Sequence, residues 1–297
     1  MSSRVNPHTL PDLLASIEQA QQNQQTAVQQ MSTGRSVNNL CDNPAAAGLV
    51  LNNALSSEAG QFLSNVTDAQ GKLQSADSAL SNATQVLTTA ITVGAEGANG
   101  TMSASDRQAL AQQVQGLQQQ MLGLANTSYE GVHIFGGTQV TSTPFTADSS
   151  SPSGVQYQGN NGVTSVQVGQ SQSVQTNVSG SQLFLNSSGN VFQALNDLAN
   201  ALNSGNGIAA ANTEVQQAFD QLSTQRVFYG NALSQLQSSQ SFLNQEQVDL
   251  STQQNQLVGA NLSAVVANES QAQVNLEAAL SATGQVLSLP NLFSFLK

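Results

Sequence analysis

The sequence has few of the residues on which most site chemistry depends. Its 297 residues include one cysteine, two histidines and no tryptophan, and only 8% of them are charged. Because Cys41 is alone, no intrachain disulfide is possible, and we interpret it as a packed small hydrophobe. His8 and His133 lie too far apart in sequence to suggest a metal site or a catalytic triad. We therefore predict no enzyme activity, no cofactor and no metal.

Basic residues are also scarce. The chain has 17 acidic and 6 basic residues, a formal net charge of -11, and the basic residues are scattered. Binding to a phosphate backbone needs clustered lysine and arginine, so nucleic acid is excluded as a partner. Surfaces rich in glutamine, asparagine and serine repel each other weakly, which favours a protein that packs against its own copies. The alternative is a low-charge secreted protein whose composition reflects export or habitat.

Long apolar runs are missing as well. No stretch of about 18 apolar residues occurs, so we expect no membrane span. The N-terminal residues show no secretory pattern, because Leu13–Ala15 is too short for an apolar signal core. We expect the protein either to stay inside the cell or to leave it without a cleaved signal peptide.

Both terminal parts of the chain carry apolar residues at the spacing of packed helices. A first helix is predicted over residues 11–31, ended by Gly34, and a second helix begins at Asn43-Pro44, where Asn can cap and Pro fits the first turn. Near the other end, apolar residues recur at every seventh position from Val215 to Leu257. Such narrow seams need partner helices. The residues that we expect in the core of this helical rod are Phe62, Leu73, Leu80, Leu87, Leu117, Leu236 and Leu243.

The middle of the chain changes to a strand period. Segments such as 165–168 and 173–178 alternate apolar and polar residues, as half-buried strands do. The glycines of 131–137 superficially resemble a phosphate loop, but no helix with a Lys-Ser/Thr pair follows, so we interpret them as a sharp turn. We read Asp77 and Asp148 as ordinary solvated residues. The predicted fold is mainly α with a β insert: a long antiparallel, coiled-coil-like helical rod formed by the two halves, with a small antiparallel β-rich domain between them.

Five segments follow from this pattern. They are an N-terminal assembly segment (1–40), the first half of the rod (41–131), a β-rich outer domain (132–190), the second half of the rod (191–258) and a C-terminal assembly segment (259–297).

Several motifs resemble the bacterial flagellin superfamily. They are Met31–Arg35, the helix start at 42–47 and the low-charge heptads at both ends. The stretch 129–138, with Ile-Phe-Gly-Gly, then Pro144-Phe145, 157–160 and the leucine-rich ending 289–296 are more similar to the hook–filament junction branch than to the flagellins. The family usually has paired aspartates where this chain has Asp42-Asn43; Asn caps as well as Asp does, so Asp42, Asn43 and Pro44 are expected to form the helix start at the junction.

The resemblance implies a structural protein of the bacterial flagellum, exported unfolded through the type III apparatus to the outside of the cell. It further implies a ring of copies between hook-associated protein 1 and flagellin, with terminal coiled coils inside and the β domain outside. An export chaperone is expected on the C-terminal helical segment.

Sparse charge and polar seam positions agree with such a role, because helices with these features are not stable without partner helices. We expect residues ~1–40 and ~260–297 to be mobile in the monomer and to order when neighbouring copies cover them. Leu250→Asp or Leu276→Asp should then impair assembly more than folding. The residues predicted to form the assembly interface are Leu10, Leu14, Ile17, Val28, Met31, Leu250, Leu257, Leu262, Val266, Leu276, Leu280 and Leu287.

Two other functions are compatible with the sequence. One is a short flagellin that forms the filament itself, which differs from a junction protein in abundance. The other is an enzyme or carbohydrate-binding module in the β insert, which only exposed aromatic rings at Phe145 and Tyr157 would favour.

Overall fold

The computed structural model describes residues 9–36 and 46–288, with side chains described for 11–36 and 47–285. Helices make up most of these ranges, and several are very long. Within them the helices are α1 (Thr9–Thr33), α2 (Ala46–Gly97), α3 (Ala104–Ala125), α4 (Gly180–Phe184), α5 (Val191–Ser204), α6 (Ile208–Val258) and α7 (Leu262–Ser288).

The β structure consists of short antiparallel hairpins between α3 and α5. Each described hairpin is a separate two-stranded sheet, and together they confirm the predicted mainly α fold with a β insert. The strands are β1 (Ser128–Tyr129), β2 (Val132–His133), β3 (Phe145–Ala147), β4 (Val155–Tyr157), β5 (Ser165–Gly169), β6 (Gln172–Gln175), β7 (Leu185–Asn186) and β8 (Gly189–Asn190).

The first hairpin begins four residues earlier than the sequence pattern suggested. Glu130 and Gly131 have positive φ angles of 51° and 79°, the conformation of a tight two-residue turn between antiparallel strands. The turn therefore lies before Val132, and the following Ile134 and Phe135 are buried side chains outside the strands.

The buried faces of the long helices coincide with the apolar seams predicted from the sequence. Every seam position of α2 from Ala59 to Ala90 is buried, because alternating alanine and larger residues lets neighbouring helices approach. The helix continues to Gly97, through Gly94. α6 runs through Gly230 without interruption, and a side chain there would meet no other atom within 4 Å.

The chain divides into two compact units, of which the first contains both ends: 1–57 and 247–297. In this unit α1 packs on α7, and the start of α2 packs antiparallel on the end of α6. The Asn52 side chain is buried there and donates hydrogen bonds to the Leu250 carbonyl oxygen and to Gln253 Oε1, at 3.1 and 2.9 Å.

The second unit, 58–246, contains the remaining parts of α2 and α6, with α3–α5 and the hairpins. The hairpins and helices share one hydrophobic core. Within it, the rings of Phe145, Phe184, Phe192 and Tyr157 form a cluster, in which the centroids of contacting rings lie 5.0 to 6.1 Å apart. Each fully buried phenylalanine stabilises this core by roughly 1.5–3 kcal/mol.

Local signals in the sequence set the ends of the helices in this unit. Ser103 accepts a hydrogen bond from the Asp106 amide and caps α3, and Asn190 caps α5 through the Gln193 amide. Gly205 closes α5 in the left-handed conformation, with φ of 72°, which glycine adopts without a steric penalty.

Candidate assembly interface

The contact between α1 and α7 is made by small side chains. Among the side chains described for these helices, the buried apolar ones are Ala20 and Ala27 in α1 and Val265 and Ala272 in α7. Ile17 and Leu276 are half-buried. The pair therefore buries little apolar surface of its own, although each helix is rich in leucine and valine.

A short backbone bridge sets the register of this helix pair. The Ser36 amide donates to the Val258 carbonyl oxygen at 2.7 Å, and the Ala260 amide donates to the Gly34 carbonyl oxygen at 3.0 Å. Since α1 ends just before this bridge and α7 begins just after it, the two helices run antiparallel. Gly34, which the sequence predicts as the residue that ends α1, therefore also takes part in this bridge.

Several of the larger apolar side chains of both helices are exposed to solvent. They are between 41% and 57% exposed. Each helix also carries two carboxylates and no lysine or arginine. Large exposed apolar side chains on two adjoining helices are typical of a protein interface. These predicted interface residues are Leu14, Val28, Met31, Leu262, Val266 and Leu280; Val274, which the sequence pattern did not select, is exposed as well.

Two other predicted interface residues lie on α6 and are covered by their own chain. Leu250 is buried in the first unit beside Asn52, and Leu257 is half-buried with its methyl groups near Gly48. A change at Leu250 would therefore disturb the first unit itself, and the role of Leu250 in assembly stays a prediction.

Some predicted residues cannot be placed. Cys41 and the helix start Asp42, Asn43 and Pro44 lie outside the described residues, as does the ending 289–297. The same holds for the side chains of Leu10 and Leu287.

The residues predicted for the rod core lie in the second unit. All are buried except Leu117, which is partly buried and packs against the same core. They are Phe62, Leu73, Leu80, Leu87, Leu117, Leu236 and Leu243.

One ion pair joins α2 and α6 in the second unit. Arg226 donates from Nε and Nη2 to the two carboxylate oxygens of Asp77, at 2.6 and 3.0 Å. These hydrogen bonds raise the pKa of Arg226 above its usual value. Reading Asp77 as an ordinary solvated residue was wrong, because its partner comes from a helix 149 positions away in sequence.

Asp148 also has a defined role. It accepts hydrogen bonds from the Ser150 amide and hydroxyl, at 2.9 and 2.6 Å, in a tight turn. The bond from the Ser150 hydroxyl is the main cause that lowers the pKa of Asp148.

The aromatic residues of the β insert are not arranged as a binding platform. Phe145 is buried, and Tyr157 is partly buried, with its hydroxyl at hydrogen-bond distance from the carbonyl oxygens of Phe135 and Asn160, 2.9 and 3.0 Å. Neither ring is exposed, so the observation that would favour a carbohydrate-binding module is missing.

No cluster of three or more histidine, cysteine, aspartate or glutamate side chains that could hold a metal ion occurs in 9–36 and 46–288. In the same ranges no helix combines the length and apolar character needed to cross a bilayer.

Comparisons with known proteins agree with the helical architecture. Residues 11–140 match the family described as the bacterial flagellin N-terminal helical region. Flagellar hook-associated protein 3 of Escherichia coli K12 is 37% identical over 123 residues, which are 40% of this chain and 38% of that protein. The chain thus matches well under half the length of its curated relatives.

Solved structures extend the similarity at the level of fold. A putative flagellar hook-associated protein from Vibrio parahaemolyticus has a TM-score of 0.67 at 17% identity, covering 73% of this chain and 100% of that one. The flagellar junction protein FlgL from Legionella pneumophila has a TM-score of 0.59 at 17% identity, covering 71% of this chain and 99% of that one. Residues 11–140 therefore match the bacterial flagellin N-terminal helical region, and the chain has the fold of hook-associated proteins.

Proposed function

We propose that this chain is a structural subunit of the bacterial flagellum that works outside the cell at the hook–filament junction. It forms a ring of copies between hook-associated protein 1 and flagellin. The observation that carries the proposal is the surface of the α1–α7 pair, where Leu14, Val28, Leu262, Val266 and Leu280 are exposed while alanines fill the contact within the pair. The names of the relatives point to the same place.

The mechanism is burial of this surface by neighbouring copies. Fully burying an exposed leucine or valine side chain contributes roughly 1.5–3 kcal/mol. The α1–α7 pair leaves several such side chains about half exposed, so each gains part of this on association. Terminal helices with this pattern complete their folding as copies associate through coiled-coil packing. An export chaperone covers the C-terminal helical segment before assembly, and export proceeds without a cleaved signal peptide.

Deletion of the gene tests the role at the junction. Cells without this protein should build hooks but shed flagellin monomers into the medium, as electron microscopy and analysis of the culture supernatant would show. A short flagellin is the second candidate, because the family model covers the helical region of flagellins. Loss of the bulk filament protein itself, with abundant copies of this chain in wild-type filaments, would support that candidate and overturn ours.

A matched pair of variants tests the surface. Leu280→Asp places a charge on the exposed apolar face, and Ser281→Asp places the same charge on the next residue, which is also exposed. Because a carboxylate is costly to bury, we expect Leu280→Asp to abolish filament attachment and Ser281→Asp to retain it. The two monomers should have the same thermal unfolding midpoint. Full motility of Leu280→Asp cells would contradict the proposed interface.

A further inference from the structure

Three asparagines in this chain precede a glycine: Asn99, Asn161 and Asn206. We propose that Asn99 and Asn206 are sites of spontaneous deamidation in the folded protein and that the fold protects Asn161. The inference does not depend on the flagellar role. It rests on how each glycine amide is placed, since that amide is the nucleophile of the reaction.

The reaction needs only the chain and water. The glycine nitrogen attacks the asparagine Cγ atom and forms a C–N bond, while the Nδ2 nitrogen leaves as ammonia and carries away the displaced proton. Water then opens the succinimide ring at one of its two carbonyl carbons. The products are aspartate or isoaspartate, and each event adds one negative charge.

Asn99 and Asn206 meet the conditions for attack. Both residues are exposed, and so are Gly100 and Gly207. Among the described residues, neither glycine amide has a hydrogen-bond acceptor. A Cβ atom at either glycine would meet nothing within 4 Å, so both segments have room to reach the cyclic intermediate.

The surroundings of Asn161 differ in two ways. The Gly162 amide donates to Asn160 Oδ1 at 2.9 Å, which engages the nucleophile. The Asn161 Oδ1 atom accepts a hydrogen bond from the Ser181 hydroxyl, but the side chains of Asn99 and Asn206 are hydrogen-bonded as well, to Thr101 and to the Ser204 carbonyl oxygen. The difference between the sites therefore lies at the glycine. Gly162 also lies tightly against the Thr138 side chain, so the segment cannot rearrange freely.

The two reactive asparagines lie in connections that meet at one arginine. Arg107 Nη1 donates to the Met102 carbonyl oxygen at 2.8 Å, in the connection after Asn99, and a Cβ atom at Gly205 would lie 2.8 Å from Arg107 Nη2. New carboxylates at 99 and 206 thus arise near a cation. An aspartate at 206 also precedes the first turn of α6, where the helix dipole favours negative charge.

The folded protein and the denatured chain provide the test. Full-length protein is incubated in mildly alkaline buffer with and without denaturant, and conversion at each asparagine is followed by peptide mapping with mass spectrometry. In denaturant the three sites should convert at similar rates, because each is followed by glycine. In the folded protein we expect Asn161 to lag behind Asn99 and Asn206 by roughly tenfold, the effect of a hydrogen bond that must first break.

Gly100→Ala is the matched control. Its φ angle is not positive and its surroundings are open, so alanine fits, but the added methyl group hinders the attack. Conversion at Asn99 should slow while Asn206 keeps its rate. Equal rates at all three sites in the folded protein, or intact Asn99 and Asn206 while the denatured chain converts, would overturn the proposal.

Discussion

Tyr229 is the largest fully buried side chain among the described residues, and it sits on the seventh-residue ladder of α6. Its hydroxyl is buried and makes no hydrogen bond of good geometry in the part of the chain that the structure describes. Burial raises the pKa of Tyr229 well above its usual value, and the nearby Val178 backbone lowers it in part. The hydroxyl therefore stays neutral in the native core.

Because of Tyr229, we expect the protein to lose stability at alkaline pH. Above about pH 10 a tyrosine ionises in the unfolded chain but not in the native core, so the free energy of unfolding should fall as pH rises. The stabilisation is fully present at lower pH. Urea unfolding of the parent chain and Tyr229→Phe, at neutral pH and at about pH 11, measures the effect.

Tyr229→Phe should change stability little at neutral pH, because the removed hydroxyl makes no hydrogen bond of good geometry. In this variant the free energy of unfolding should also fall less between neutral and alkaline pH. The decrease that remains comes from Tyr157, whose pKa burial also raises. The lowered pKa of Lys72 acts in the opposite sense in both proteins and cancels in the comparison. An alkaline decrease of the same size in the variant would contradict this assignment.

At the scale of elements, the aromatic cluster holds the β insert onto the helices. Gly180, the first residue of α4, lies between the Phe145 ring and the backbone at Phe135, and its amide donates to the Phe135 carbonyl oxygen at 2.8 Å. A Cβ atom at this position would be 2.6 Å from Phe145 Cε2 and 2.7 Å from the Phe135 oxygen. The start of α4 can therefore approach Phe145 and Phe135 this closely only because Gly180 has no side chain.

Two glycine-to-alanine changes should consequently have opposite effects. Gly180→Ala should lower the free energy of unfolding by about 1–3 kcal/mol, because the methyl group overpacks the cluster. Gly230→Ala, in the open middle of α6, should raise it by up to about 1 kcal/mol through helix propensity. Chemical denaturation measures both. An increase in the free energy of unfolding of Gly180→Ala would contradict the close packing of the cluster around Gly180.

At the scale of the whole molecule, the two units differ in how much apolar surface they bury. The second unit has a continuous core of helices and hairpins. In the first unit, α1 and α7 meet mainly through alanines and leave larger side chains in solvent. Local stability follows buried apolar contacts, so the terminal helices should open well before the second unit unfolds.

Hydrogen exchange on the isolated protein tests this difference. At monomeric concentration we expect fast exchange in α1 and α7 and strong protection in the core parts of α2, α5 and α6. Assembly with other copies should then slow exchange in the terminal helices. Strong protection of both terminal helices in the monomer would contradict coupled folding and assembly.

The sequence by itself determined the helices, the β insert and the core faces of α2 and α6. These follow from local periodicity, and each seam position faces the same side of its own helix whatever the rest of the chain does. The flagellin-like motifs were also readable, because they are runs of adjacent residues.

Only the tertiary structure decided which apolar residues are covered. Leu250 and Leu14 occupy similar seam positions in sequence, yet one is buried by α2 and the other faces solvent. The pairing of Asp77 with Arg226 and the burial of Phe145 were equally hidden. Each depends on a partner far along the chain, and periodicity tells which face of a helix is apolar but not what packs against it.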